Sequence, residues 1–198
     1  EMKECDWSSD VCSSDLSILI CIFLCGAALA ASRQPNKSVE VYFSPSSACE
    51  ENIVKMINGS RQEIDVAVYS LNNTDIVEAL KEADRRGVKV RILTDRLQAA
   101  GRSSKVRDLY RAGVNIRVHS KHKIEHNKFA VFDGETAVTG SYNWTEPATS
   151  KNSENCIFFH DGAAVAAFSE RFVWLWSVNT KEKSDRWFAK KEALAKAD

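Results

Sequence analysis

The sequence predicts an α/β fold, a mixed β-sheet flanked by helices. Two observations carry this. Between Val39 and Val118, strand-like runs alternate with segments of helical spacing, giving the order β-α-β-α-β-α-β, which argues for a sheet with helix crossovers. From Lys128 onward three more strand-like runs follow around an Asp133-Gly134 turn signal, and a turn of that kind joins antiparallel neighbours. A chain of 198 residues suits one domain with a substantial core.

Each element has its own signal. Residues 39–43 alternate as a strand and stop at Ser44-Pro45. Ile53, Met56 and Ile57 have helical spacing, and Asn58-Gly59 ends that helix. Residues 64–69 form the second strand. Ile76, Ala79, Leu80 and Ala83 mark the next helix, with Asn73 or Thr74 as its cap and Gly87 as its stop. Residues 88–93 are the third strand, 104–112 a short helix closed by Gly113, and 114–118 the fourth strand. Strands at 128–132, 136–140 and 154–159 follow. A helix over 163–176 turns Val165, Phe168, Phe172 and Leu175 inward. The catalytic domain is expected over 39–177, after a polar lead-in at 31–38. A charged tail, helical in part, is expected over 178–198.

The N-terminus reads differently. Residues 16–31 are apolar and end in Ala28-Leu29-Ala30, the core and cleavage site of a secretory signal peptide. Residues 1–30 are therefore expected to be an export segment, and the protein periplasmic or secreted. Membrane contact is expected only if that segment is retained. The region before the apolar run is acidic where a signal peptide is basic, and residues 6–16, DWSSDVCSSDL, are what a common sequencing adapter encodes. They are expected to be translated adapter.

Formal net charge is zero, but the 30 N-terminal residues hold one basic and five acidic side chains. From Lys81 to Lys128 there are fourteen Lys/Arg and five Asp/Glu. Such a local excess suits a polyanion, either nucleic acid or an anionic lipid surface. Of six cysteines only Cys49 and Cys156 follow the export segment, which excludes a disulfide framework and a CxxC zinc site. The two could pair in an oxidising compartment; the expectation here is that Cys156 is an ordinary buried strand residue.

The chemistry gathers around one hairpin. His126 and Lys128, two apart, share a strand face. If Asp133-Gly134 is the whole loop, Phe132 faces Glu135 and His126 faces Ser141. A shift by one residue puts His126 opposite Asn143 and Lys128 opposite Ser141. Either register collects an imidazole, an ammonium, a hydroxyl and an amide, and Glu154 starts the next strand at the same end. A neutral imidazole can attack phosphorus. Lys128 and the neutral donors can hold the non-bridging oxygens, and Glu154 can orient a histidine.

The pattern His126-x-Lys128-x4-Asp133 followed by Gly140-Ser141-x-Asn143 resembles the HxKxxxxD…GSxN signature of the phospholipase D superfamily, and Asn152-Ser153-Glu154-Asn155 fits it too. The resemblance covers residues 39–176 and is nearest to small exported bacterial endonucleases with one motif per chain. It implies His126 as nucleophile, Lys128 and Asn143 as phosphate ligands, and Glu154 as the partner of a catalytic histidine. Asp133 belongs to the motif, but the hairpin puts it at the far turn, where a structural role is expected.

His119, His122 and His126 are interrupted by Lys121 and Lys123, which argues against a metal, and no cofactor is expected. His122, Lys123, Arg96 and Arg102 are expected to face substrate, and Trp144 either to face it or to pack in the core. The expected function is metal-independent cleavage of DNA or RNA, by a homodimer with a shared active site. Phospholipid hydrolysis and a non-catalytic nucleic-acid-binding module are the alternatives.

Overall fold

A computed structural model describes residues 38–195. The export segment and adapter expected over residues 1–30 lie outside the described residues, as does most of the lead-in.

Among the described residues seven strands form one mixed sheet: β1 (Val39–Ser44), β2 (Glu63–Val68), β3 (Lys89–Thr94), β4 (Asn115–Val118), β5 (Lys128–Phe132), β6 (Thr136–Gly140) and β7 (Glu154–Phe159), in the order β1-β7-β6-β5-β2-β3-β4. The neighbours β2-β3-β4 are parallel; the remaining pairs are antiparallel. The strand before each helix crossover and the hairpin β5-β6 thus meet edge to edge, through an antiparallel β2-β5 pair in which Val68 faces Lys128.

Alternation along the strands divides the core. Ile64, Val66, Val68, Ala130, Phe132 and Val138 point to one face. They pack against α1 (Ala48–Gly59) and α2 (Thr74–Arg85). The α2 stripe is the one the spacing predicts, and the Asn73 side chain accepts a hydrogen bond from the Ile76 N–H at 3.0 Å, capping it. Short helices α3 (Arg96–Ala99), α4 (Val106–Arg111) and α5 (Glu146–Ser150) complete the connections. On the other face Ala67, Leu93, Phe129, Val131 and Ala137 meet Val165, Phe168, Phe172 and Leu175 of α6 (Gly162–Val178).

The charged segment after 177 is helical over α7 (Lys181–Ala195), which packs on β4, with Phe188 and Ser184 fully buried. It completes the edge strand, because the Ser184 hydroxyl accepts from the Val118 N–H at 3.1 Å and Asn179 Oδ1 from the Ser120 N–H at 2.8 Å. A buried edge N–H left unpaired would be costly, so polar residues in this charged segment do structural work. Cys156 is a buried strand residue as expected, but it is bonded to Cys49, a disulfide that ties β7 to α1 across 107 residues. Closing a loop of that size restricts the unfolded chain by roughly 4–5 kcal/mol in the chain-entropy account.

Candidate active site

The carboxyl ends of β1, β2, β3, β4 and β6 and the amino ends of β5 and β7 share one rim of the sheet. In open α/β sheets this is where ligands bind. His126 lies on this rim, exposed, its ring tilted against that of Tyr69 with centroids 4.6 Å apart. Lys128 enters β5 and is only 9% exposed. Its Nζ donates to the His126 carbonyl at 2.7 Å and stands 4.9 Å over the Tyr69 ring. Burial pushes the Lys128 ammonium below its ordinary pKa, and the Glu154 and Glu125 carboxylates pull it back up. Glu154 is thus in electrostatic reach of Lys128.

The hairpin register is neither of the two expected. Asp133 and Gly134 are both left-handed (φ 52° and 68°) and the Glu135 N–H donates to the Phe132 carbonyl, yet Thr136 is the residue opposite Phe132. The extra residue shifts the pairing so that Lys128 falls in line with Gly140. That position must be glycine: its φ is 153°, and a Cβ there would run into the Asn155 carbonyl. The β6–β7 pairing ends at this close approach, after which Ser141 and Asn143 reach the rim while Tyr142 turns into the core.

Ser141 is exposed, and its Oγ accepts from the Asn155 N–H at 3.1 Å. Asn143 is half-buried, with its Oδ1 enclosed and without a hydrogen-bond partner among the described residues. Such an atom in a native fold calls for an explanation, and a ligand that reorients the amide supplies one. The Glu154 N–H donates to the Ser44 hydroxyl and its carboxylate accepts from Asn152 at 3.0 Å, which fixes the acid at the start of β7. His126, Lys128, Ser141, Asn143 and Glu154 are therefore gathered at one rim.

Other expected residues are not gathered there. Asp133 lies at the opposite end of β5, where its carboxylate accepts from the N–H groups of Arg61, Gln62 and Glu63 at 2.8, 2.8 and 3.0 Å. Burial would raise this carboxyl, but the three donors and the Arg61 charge outweigh it and hold it below the usual carboxylate range. Asp133 is a full strand length from His126, so the motif's aspartate acts on the turn and not at the reacting centre. Replacing Asp133 by alanine should remove about 2–3 kcal/mol of stability at neutral pH while leaving kcat unchanged. A depressed carboxylate stabilises above its unfolded pKa and stops doing so as pH falls through the folded value. The gap between the urea midpoints of the parent and Asp133→Ala should therefore narrow as pH falls below the ordinary value of 3.8; a gap that acid leaves unchanged down to acid unfolding would contradict this role. Trp144 is 1% exposed and belongs to the core, so its indole is not offered to substrate. His122, Lys123, Arg96 and Arg102 are exposed, the first three beside the rim and Arg102 in the loop after α3.

The sequence reading did not single out Tyr69 or the buried network behind His126. Asp95 caps α3 through Oδ1 and accepts from the Glu125 N–H through Oδ2 at 3.1 Å; Glu125 in turn accepts from the Asn127 N–H at 3.2 Å. Two buried acids thereby hold the backbone on both sides of His126. Their only sequence signal is an acid directly before the motif. Among the described residues no group of three His, Cys, Asp or Glu is placed to hold a metal ion.

Comparison with known proteins points to one family. A family described as "Cardiolipin synthase, PLD-like domain" matches residues 53–176. A phospholipase D of Rickettsia bellii is 32% identical over 142 residues, covering 72% of this chain and 71% of that one. A mitochondrial cardiolipin hydrolase of Chlamydomonas reinhardtii is 32% identical over 122 residues; the match spans 62% of this chain and only 55% of the relative. Among solved structures, a phospholipase D family member, Nuc from Salmonella typhimurium, superposes with a TM-score of 0.68 at 31% identity, covering 72% of this chain and 96% of that one.

Proposed function

The chain belongs to the phospholipase D superfamily and is a phosphodiesterase, and from that premise we propose that it is an endonuclease that cuts DNA or RNA without a metal ion. The observation that favours nucleic acid is the free positive charge near the site. Arg96, Lys121 and Lys123 beside the rim, and Arg102 in the loop after α3, are exposed and have no ion-pair partner among the described residues. A polymer with a charge at every phosphate engages several of them together and releases counterions. The names of the relatives favour a phospholipid as the second reading. Plasmid DNA, RNA and cardiolipin vesicles presented side by side in EDTA decide between them. The expected result is cleavage of nucleic acid that excess EDTA leaves intact. Hydrolysis of the vesicles alone, or loss of all activity that Mg²⁺ restores, would overturn the proposal.

The proposed reaction uses two histidines. A His126 nitrogen forms a bond to phosphorus as the bond to the leaving oxygen breaks, and that oxygen takes a proton. Water then displaces the histidine, giving its proton to the group that had supplied one. Lys128, Ser141 and Asn143 stabilise the non-bridging oxygens in both steps. In-line displacement sets nucleophile and leaving group on opposite sides of phosphorus, so one imidazole cannot serve both. With one motif per chain, a two-fold dimer supplies the second histidine.

The surface that fits this dimer is on β1. Val39, Val41 and Phe43 are 44%, 47% and 66% exposed on one sheet face, beside half-buried Phe159 and Ile157. The stripe ends at the rim, where Ser44 is in register with Glu154. Phe43→Glu should give a folded monomer in sedimentation with nuclease activity reduced at least about a hundredfold, since the general acid is lost. A fully active monomer would refute the shared site. Export into an oxidising compartment is part of the same proposal, supported by the apolar run at 16–31 and by the Cys49–Cys156 disulfide.

A further inference from the structure

Helix α7 carries a charge pattern that its role in closing the β4 edge does not require. Lys183, Arg186 and Lys190 follow at i, i+3 and i+7, all exposed and all without an ion-pair partner among the described residues. The acids of the same helix are mostly engaged elsewhere. Asp185 binds Lys181 at 2.6 Å and the Tyr110 hydroxyl at 3.2 Å, and Glu192 binds Arg111 at 2.7 Å. Glu182 is in electrostatic reach of Arg186 but forms no ion pair with it.

This basic stripe borders a cavity of roughly 230 Å³. Its walls include Lys183 and Arg186 from α7, Arg96 from the start of α3, Ser120 from the end of β4, and Trp187. Three cations around a small cavity, with one hydroxyl and no acid in the lining, give it a charge that suits an anion. The cavity lies at the rim. Arg96 follows the carboxyl end of β3 and Ser120 that of β4, the rim that carries His126 two to three strands away. At about 4.8 Å per strand, that separation is on the order of 10–15 Å. With one phosphate per about 3.4 Å of axial rise along a stacked strand, it is roughly three to four nucleotides, and fewer for an extended strand.

We propose that this cavity is a second phosphate-binding site for the substrate strand, which runs from His126 along the carboxyl rim to α7. The inference rests on the nucleic-acid reading of the active site and extends it: cleavage efficiency should depend on substrate length, and the last helix should set that dependence. A phosphate placed between Arg96 and Arg186 would be held by charge and by bidentate donors, the geometry at which guanidinium excels.

The test is Lys183→Glu/Arg186→Glu, two exposed positions away from His126 and from the buried side of α7. Lys55→Glu/Arg85→Glu, an equal charge change on α1 and α2, serves as the control, and melting temperatures confirm that both fold. Binding of a fluorescent 12-nucleotide single strand is followed by anisotropy in a His126→Ala background, so that the readout does not need turnover. The α7 variant should bind at least tenfold more weakly near 50 mM salt. Its log–log salt slope should be shallower by about 1.4, two phosphate contacts at about 0.7 each for a single strand. The control should stay near the parent. With His126 intact, kcat/KM for the 12-mer should fall, while that for bis(p-nitrophenyl) phosphate, too small to reach α7, should not change. Equal binding and salt slope in the α7 variant and the parent would overturn this site and leave the nuclease proposal standing. Length-dependent binding through α7 without cleavage of any nucleic acid would overturn the nuclease proposal and leave the site standing. A variant that weakens binding to cardiolipin vesicles but not to the 12-mer would reassign the cavity to lipid headgroups and overturn it as proposed.

Discussion

His126→Ala should abolish turnover, by at least about 10⁴-fold in kcat, in a protein that keeps its melting temperature. The magnitude follows from the role. If the imidazole forms the bond to phosphorus, its removal takes away the covalent route and not merely a contact. Stability should be unaffected because the ring is exposed at the rim and its main packing partner is the face of Tyr69. Rapid acid-free quenching of the parent with a nucleic-acid substrate should trap phosphate on His126, detectable by mass spectrometry. Near-normal rates in His126→Ala, or phosphate trapped on a different residue, would remove the basis of the mechanism.

Lys128→Met should lose on the order of a thousandfold in kcat/KM, about 4 kcal/mol of transition-state stabilisation, while the fold becomes no less stable. The two halves of this expectation have one cause. The ammonium is almost enclosed at the head of β5, where burial holds its pKa below the ordinary lysine value against the pull of Glu154 and Glu125. A lysine whose folded pKa lies below its unfolded one costs stability wherever both states are protonated. That cost is relieved as pH rises through the folded pKa toward 10.5. Methionine of similar shape removes the cost, offset by the loss of the bond to the His126 carbonyl. The stability difference between Lys128→Met and the parent should therefore be most favourable to the variant at neutral pH and shrink toward pH 10. A variant that is both unstable and active would show that Lys128 is a structural residue.

Much of the fold was legible because each element carries a local signal. The Ile76, Ala79, Leu80, Ala83 stripe is a helix face in the sequence and a buried face in the structure. The alternating runs become strands within a residue or two of where the spacing puts them. That His126, Lys128, Ser141, Asn143 and Glu154 lie near one end of the sheet was legible because a hairpin returns its second strand beside the first, but His126, Ser141 and Asn143 stand just outside the strands, so a shared strand face does not place them.

What the sequence by itself determined, then, is the set of elements, the α/β class and which reactive residues lie near one end of the hairpin, since those depend on contacts between near neighbours in the chain. The tertiary structure decided the rest. Three residues in the turn, not two, set the register, because the left-handed pair Asp133-Gly134 is followed by one unpaired residue before Thr136. Insertion of β5 between β6 and β2 put Tyr69 against His126, and the pairing of β7 with β1 brought Cys156 to Cys49. The same long-range packing drew Trp144 into the core and turned a charged C-terminal stretch into the helix that closes the β4 edge. These outcomes depend on which distant surfaces bury each other, and that energy has no periodicity along the chain from which it could be read.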